Sequence, residues 1–262
     1  MSSIPAPWPP ADTVVFAGVR LLDLATAEAV DALVAAATAG TGHGVHLCNA
    51  YTLSLAADDT GYRAALTHDG AVNLADGVPV AWFSGLARRQ RSRGPVRGPD
   101  LMQEALARPA VRHFLLGGTD QVLVDLERAI KARAPDAVVC GRLAPPFRDP
   151  GPADLDEWRA AIDASGADLV WVGLGTPRQD QVIAALAGRT RAVLVGVGAA
   201  FDFLSGHKKQ APRILHRTGL EWVWRLVSEP RRLWRRYLFG NTRFVVAAVG
   251  ELRRERSSAR VG

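Results

Sequence analysis

Apolar and polar positions along this chain fall into two rhythms that alternate. Short, nearly continuous apolar runs recur at TVVFAGVRL, GVHLCN, AVNLAD, VRHFLLGG, DAVVCG, ADLVWVGLG and RAVLVGVGAAF, and each reads as a strand covered on both faces. Between them, stretches of helical length run over residues 26–37, 78–88, 100–107, 121–133, 154–164 and 177–187. Buried strands separated by helices predict an α/β fold, a Rossmann-like parallel sheet with helices on both faces. That domain is expected to span residues 13–205. The rhythm breaks after Gly206, where Trp222, Trp224, Trp234, Tyr237 and Phe239 interleave with arginines. Residues 206–250 are therefore read as a basic, amphipathic helical C-terminal appendage, with 1–12 and 251–262 as flexible ends.

Composition sharpens this division. Of the 262 residues, 48% are hydrophobic and 22% charged, as expected of a globular chain rather than a disordered one. The net charge of +6 is unevenly placed. Residues 206–243 hold Lys208, Lys209, Arg213, Arg217, Arg225, Arg231, Arg232, Arg235, Arg236 and Arg243 against only Glu221 and Glu229, so the basicity belongs to the appendage. Such a segment suits anionic lipid, nucleic acid or a phosphate held by the chain itself. Two distant cysteines, Cys48 and Cys140, form no CxxC or Cys/His spacing, which predicts reduced thiols and no zinc site. The first residues lack a basic and apolar leader pattern, and no apolar run approaches the ~20 residues of a spanning helix. The expectation is a cytoplasmic protein that meets a membrane, if at all, from its surface.

The strand exits carry the candidate chemistry. In NLADGVPV, Asp76 and Gly77 stand between a strand and a helix. Asp76 is either an N-cap or a carboxylate able to take a proton from an attacking hydroxyl. In VGLGTPRQDQ, Gly173 and Gly175 permit a tight exit, Pro177 suits a first helical position, and Thr176 with Gln179 spells a capping box. Amides at such a helix start can hold a phosphate, or the helix can simply be well capped. GVGAAFDFLSG lacks the third glycine of a dinucleotide fingerprint. The acids of DLD, 154–156, fit the positive end of a helix better than a metal. The run ARRQRSRGPVRG reads as a mobile basic loop, a lid or a solvated connection.

In this order the stretches resemble the WecG/TagA/CpsF family of bacterial glycosyltransferases, along most of the chain. NLADGVPV is similar to its strand-Asp-Gly signature, RGPDLM to its Gly-x-Asp-Leu segment, FLLGG to its central strand and VGLGTPRQD to its Gly-x-Pro-(Lys/Arg)-Gln signature. GVGAAFDFLSGHKKQAP and GLEWVWRLVSEPRR follow its downstream pattern. The resemblance implies transfer of a sugar, N-acetylmannosamine-type or related, from a UDP donor to a polyprenyl-diphosphate-linked sugar, in surface polysaccharide or cell-wall polymer synthesis. It further implies inversion at the anomeric carbon, no metal and no cofactor, and attachment to the inner face of the membrane through anionic lipid, with no nucleic acid as partner. Asp76 takes the place of the catalytic base. Asn49, Gly77, Gly173, Gly175, Thr176, Gln179, Arg225, Arg231 and Arg232 fall at the donor, the arginines offsetting charge on the departing diphosphate. Thr52, Arg97 and Asp100 fall at the acceptor.

The chain also departs from that pattern. Leu47 and Tyr51 flank Asn49 where a threonine and a carboxylate are usual, which leaves polar contact to Thr52 or His46. Gln210 replaces an arginine, and Asp180 a glutamate. Two rival readings follow from the residues alone: a nucleotide-sugar-binding regulatory or scaffold module without turnover, and a basic nucleic-acid-binding protein.

Overall fold

A computed structural model describes residues 5–9, 12–212, 215, 221–231 and 243–250. One eight-stranded sheet organises them, in the order β1-β2-β4-β3-β8-β7-β5-β6. Strands β1 (Thr13–Phe16) and β2 (Val19–Leu22) pair antiparallel, while β3 (Gly44–Cys48), β4 (Ala71–Ala75), β5 (Arg112–Gly117), β6 (Val138–Leu143), β7 (Leu169–Gly173) and β8 (Val193–Gly196) are parallel to one another, and β2 joins β4 in parallel. The run expected as one strand, TVVFAGVRL, is thus a hairpin. Ala17 and Gly18 both take positive φ, the conformation a two-residue turn requires, although the apolar run passes through without a polar break.

Helices α1 (Thr26–Ala39), α5 (Gly98–Leu106), α6 (Asp120–Arg133) and α9 (Ala200–Leu204) close one face over the larger apolar cluster. On the other face, α2 (Ala50–Asp58), α3 (Thr60–Leu66) and α4 (Val78–Arg88) build a second cluster, and α7 (Pro152–Ser165) with α8 (Arg178–Leu186) a third. This is the Rossmann-like arrangement expected. Helices α2 and α3 interrupt a stretch for which no element was expected. Asn49 caps the first through Tyr51 and Thr52, and Asp59 caps the second through Tyr62.

Consecutive strands send their connections to opposite faces. The chain leaves β3 toward α2, β8 toward α9, β7 toward α8 and β5 toward α6, so the carboxyl ends of β3, β8, β7 and β5 part their loops alternately. Crevices form where loops part in this way.

Several expectations are corrected at the margins. Trp8, placed in a flexible lead-in, is buried in the larger cluster. The loop after α4 is laced down rather than mobile, because the buried Asp23 carboxylate accepts from Arg88, from Ser92 Oγ at 3.1 Å and from the Arg93 amide at 3.2 Å. Helix α10 (Glu221–Ser228) is linked to α9 through Lys208, whose Nζ lies 2.7 Å from Asp202 and 3.5 Å from Glu229. Residues 243–250 are helical and return to the body, where Phe244 joins Phe16 and Phe83. No helix among the described residues is long and apolar enough to cross a membrane.

Candidate active site

The parallel register brings several sequence motifs to one edge of the sheet. Cys48 is level with Ala75, His46 with Gly196, Gly196 with Val172, and Gly173 with Gly117. Asn49, Asp76, the Gly196–Gly198 turn, the Gly173–Gly175 turn and Gly117–Gly118 therefore all lie at the carboxyl edge.

Asp76 continues β4 by donating its amide to the Cys48 carbonyl at 3.0 Å, and its side chain is half-buried. Gly77, at φ +82°, holds the N-cap position of α4, so Asp76 stands one residue outside the cap. The next segment crosses directly above. The Val96 amide donates to the Ala75 carbonyl at 2.8 Å, and a Cβ on Gly98 would meet the Val197 carbonyl at 2.9 Å and Leu47 at 3.3 Å. Only glycine allows that approach. Arg97 and Asp100 are thereby carried over β4, β3 and β8, with Arg97 Nη1 donating to Asp100 Oδ2 at 2.8 Å. Arg97 is buried and occupies the N-cap position of α5.

The glycines of the signature after β7 divide their tasks. A Cβ on Gly173 would strike the Phe201 ring at 2.7 Å, so the glycine there lets α9 pack closely against the end of β7. Gly175, at φ +76°, has open space where a Cβ would stand. Of the two glycines it is the one whose outward side is open. Gly117 and Gly118 stand beside it, and a Cβ on Gly117 would meet the Gly173 backbone at 2.7 Å. These two were read only as the end of a central strand; a glycine pair leaving a buried strand was the available signal.

The predicted capping box does not form. The Thr176-Pro177 peptide is cis, Pro177 is the N-cap, and α8 has no side-chain cap. The amides of Gln179 and Asp180 are already bonded to the carbonyls of Gly175 and Pro177, at 2.9 and 3.1 Å, so they are not open to a phosphate. Gln179 is buried and spends its Oε1 on the Gly198 amide at 3.0 Å. Its place is behind the crevice, holding the turn after β8 against α8, rather than against a donor.

Asn49 uses its Oδ1 to cap α2, accepting from the amides of Tyr51 at 3.1 Å and Thr52 at 3.2 Å. Thr52 is fully buried with its hydroxyl 3.4 Å from Asn49 Oδ1, so the expectation that it touches an acceptor is overturned: its side chain faces the interior. His46 is equally inaccessible. Its Nδ1 lies 3.0 Å from Asp180 Oδ1, Tyr62 Oη donates to Asp180 Oδ2 at 2.7 Å, and His46 Nε2 is 3.4 Å from His68. Burial and then the Asp180 charge push the Tyr62 phenol far up, which keeps it a donor. Burial likewise raises the Cys48 thiol, with Asp180 and Asp76 adding to the shift. This buried group was missed because histidine and aspartate in a motif read as ligands until their burial is known. Arg231 is exposed, three residues past the end of α10, while the Arg225 side chain, Arg232, Arg235 and Arg236 lie outside the described residues. Among the described residues no group of three or more His, Cys, Asp or Glu side chains gathers as a metal site.

Residues 14–258 match the family model described as the glycosyl transferase WecG/TagA/CpsF family.

Proposed function

The chain belongs to the WecG/TagA/CpsF glycosyl transferase family, a family of cell-wall and surface polysaccharide synthesis, and from that premise we propose a specific reaction. The protein moves a hexose of the N-acetylmannosamine type from a UDP donor to a sugar carried on a polyprenyl diphosphate. It does so with inversion, without a metal, at the inner membrane face. The observation that carries this reading is the half-buried Asp76 carboxylate, one residue before the α4 N-cap and at the carboxyl edge of β4, where the segment carrying Arg97 crosses. Asp76 is the base that takes the proton from the acceptor hydroxyl as that oxygen attacks the anomeric carbon. The bond to UDP breaks on the opposite side.

In this reading the donor diphosphate lies over the open Gly175 turn, where backbone without side chains permits close approach. Gln179 acts by fixing the Gly198 turn. Arg97 and Asp100 orient the acceptor as a pair, and Asn49 shapes the floor by starting α2. Negative charge developing on departing UDP needs a fixed cation, a part given to the appendage arginines Arg225, Arg231 and Arg232. Residues 206–250 associate with anionic lipid and keep the lipid-linked acceptor within reach.

The test is UDP release from a panel of UDP-sugars, with and without a polyprenyl-diphosphate sugar presented in anionic vesicles. Acceptor-dependent release that Asp76→Asn abolishes supports the reading. Uridine nucleotide binding without release from any donor and acceptor pair favours a binding module and contradicts it.

A further inference from the structure

We propose that the outward face of α4, together with that of the helix at residues 243–250, docks the protein on an anionic lipid bilayer. This deepens the membrane-bound acceptor of the preceding reading and rests on it. Helix α4 buries Val80, Ala81 and Phe83 but leaves Trp82 66% and Leu86 57% exposed, four residues apart and so on one stripe. The 243–250 helix has the same division: Phe244 and Ala248 are buried, whereas Val245, Val246 and Val249 are exposed. Both helices pack on one aromatic cluster. The Phe83 and Phe244 ring centroids are 6.0 Å apart, and Phe16 lies 5.3 Å from the first and 5.1 Å from the second. The two helices thus sit side by side and turn their bare apolar faces away from the same core.

The charge around this surface chooses the occupant. Arg89, Arg91 and Arg93 follow α4 and are exposed, while the acids near it are already engaged: Asp23 and Asp12 by Arg88, Glu28 by Arg93 and Asp58 by Arg243. A tryptophan and aliphatic stripe bordered by arginines fits the headgroup boundary, where rings and aliphatic chains enter and guanidinium groups stay at the phosphates. The position of α4 adds a reason for lipid rather than protein. The helix begins at Val78, two residues after Asp76, and at about 1.5 Å per residue its whole length is roughly 16 Å. Docking through Trp82 and Leu86 holds the proposed base within that distance of the headgroups. A sugar on a membrane-anchored diphosphate lies at that level.

The experiment uses full-length protein with vesicles of pure phosphatidylcholine and of phosphatidylcholine with phosphatidylglycerol, comparing wild type with Trp82→Ser/Leu86→Ser and with Arg89→Gln/Arg91→Gln. Sedimentation needs no turnover, so its result stands whatever the donor is. The expected result is binding of wild type to the anionic vesicles, reduced about tenfold or more in each double variant, at unchanged thermal midpoint. A release assay then separates this surface from the reaction. Trp82→Ser/Leu86→Ser should keep wild-type rates on a water-soluble, short-chain acceptor and lose them on the vesicle-borne one. Vesicle binding by the variants equal to wild type overturns the proposal. So does a wild-type dimer that dissociates in Trp82→Ser/Leu86→Ser without change in lipid binding, because the face would then join two copies of the chain.

Discussion

His46 and Asn49 lie three residues apart on the passage from β3 to α2, yet they belong to regions built for opposite ends. His46 points into a closed set with Asp180 and Tyr62, while Asn73 beside it donates to the carbonyls of Arg20 at 3.1 Å and Leu66 at 2.9 Å. No side-chain polar atom of these four is left buried without a partner. Asn49 stands at the edge with Asp76, Arg97, Asp100 and the open Gly175 turn, where Asp76 is only half-buried and nothing fills the space beside Gly175. The contrast teaches that His46 and Asn73 are committed to holding α8 and α3 against the strands, whereas the edge residues beyond them are the ones the proposed reaction uses. Depth along the strand separates the two sets. The two regions touch at Cys48, whose thiol is raised by burial and by charges from both sides, Asp180 and Asp76.

The sharpest way to break the comparison is at Asp76. Asp76→Asn should lower acceptor-dependent turnover by about a thousandfold, the usual scale for loss of a general base, with the thermal midpoint unchanged. Turnover near wild type would move Asp76 out of the chemical region. The buried region should answer in the opposite currency. Asp180→Ala strands His46 and Tyr62 in the interior and should cost about 3 kcal/mol of unfolding free energy in urea titrations. A variant as stable as wild type would mean that the set is not structural.

A second buried histidine allows a milder test through pH. His113 stacks on Trp171, accepts its indole N–H at 3.2 Å, and is held by burial at about 4, below the ordinary 6.5. A depressed histidine contributes stability above its unfolded value, and that stability is lost as pH falls from about 6.5 toward 4, since the unfolded chain takes up the proton first. Unfolding free energy should therefore drop by about 2 kcal/mol from this site between pH 7.5 and 5, and His113→Gln should remove that part of the slope. An unchanged slope in the variant would contradict the assignment. Smallest of all, Thr52→Val should cost about 1 kcal/mol or less in stability and leave the acceptor KM unaltered, because the hydroxyl faces Asn49. A raised KM with intact stability would return Thr52 to the site.

Much of the fold was legible because its strands are buried on both faces and its helices intervene regularly. Where the pattern misled, the cause is local. The hairpin at Ala17-Gly18 hides inside one apolar run, and residues 50–66 mix alanine and leucine with Asp58, Asp59 and Thr60, so two short helices read as connection. The edge motifs were visible as strand exits in the chain alone, Asp76 after β4 and Gly175 after β7. Their neighbours Gly173, Gln179 and Thr52 could not be sorted in that way. What separates them is a ring or an amide supplied by a distant segment, Phe201 for Gly173 and Gly198 for Gln179, and for Thr52 its complete burial. The family resemblance named the motif but not which of its side chains are buried.

In the proposed reaction, proton removal and donor binding occupy separate parts of the edge, Asp76 for the one and the Gly175 turn for the other. The most direct measurement is UDP calorimetry beside single-turnover kinetics on Asp76→Asn. The account predicts a UDP Kd within about twofold of wild type and a chemical step slowed about a thousandfold. Loss of UDP binding in parallel with the rate, or an unslowed step, would contradict it.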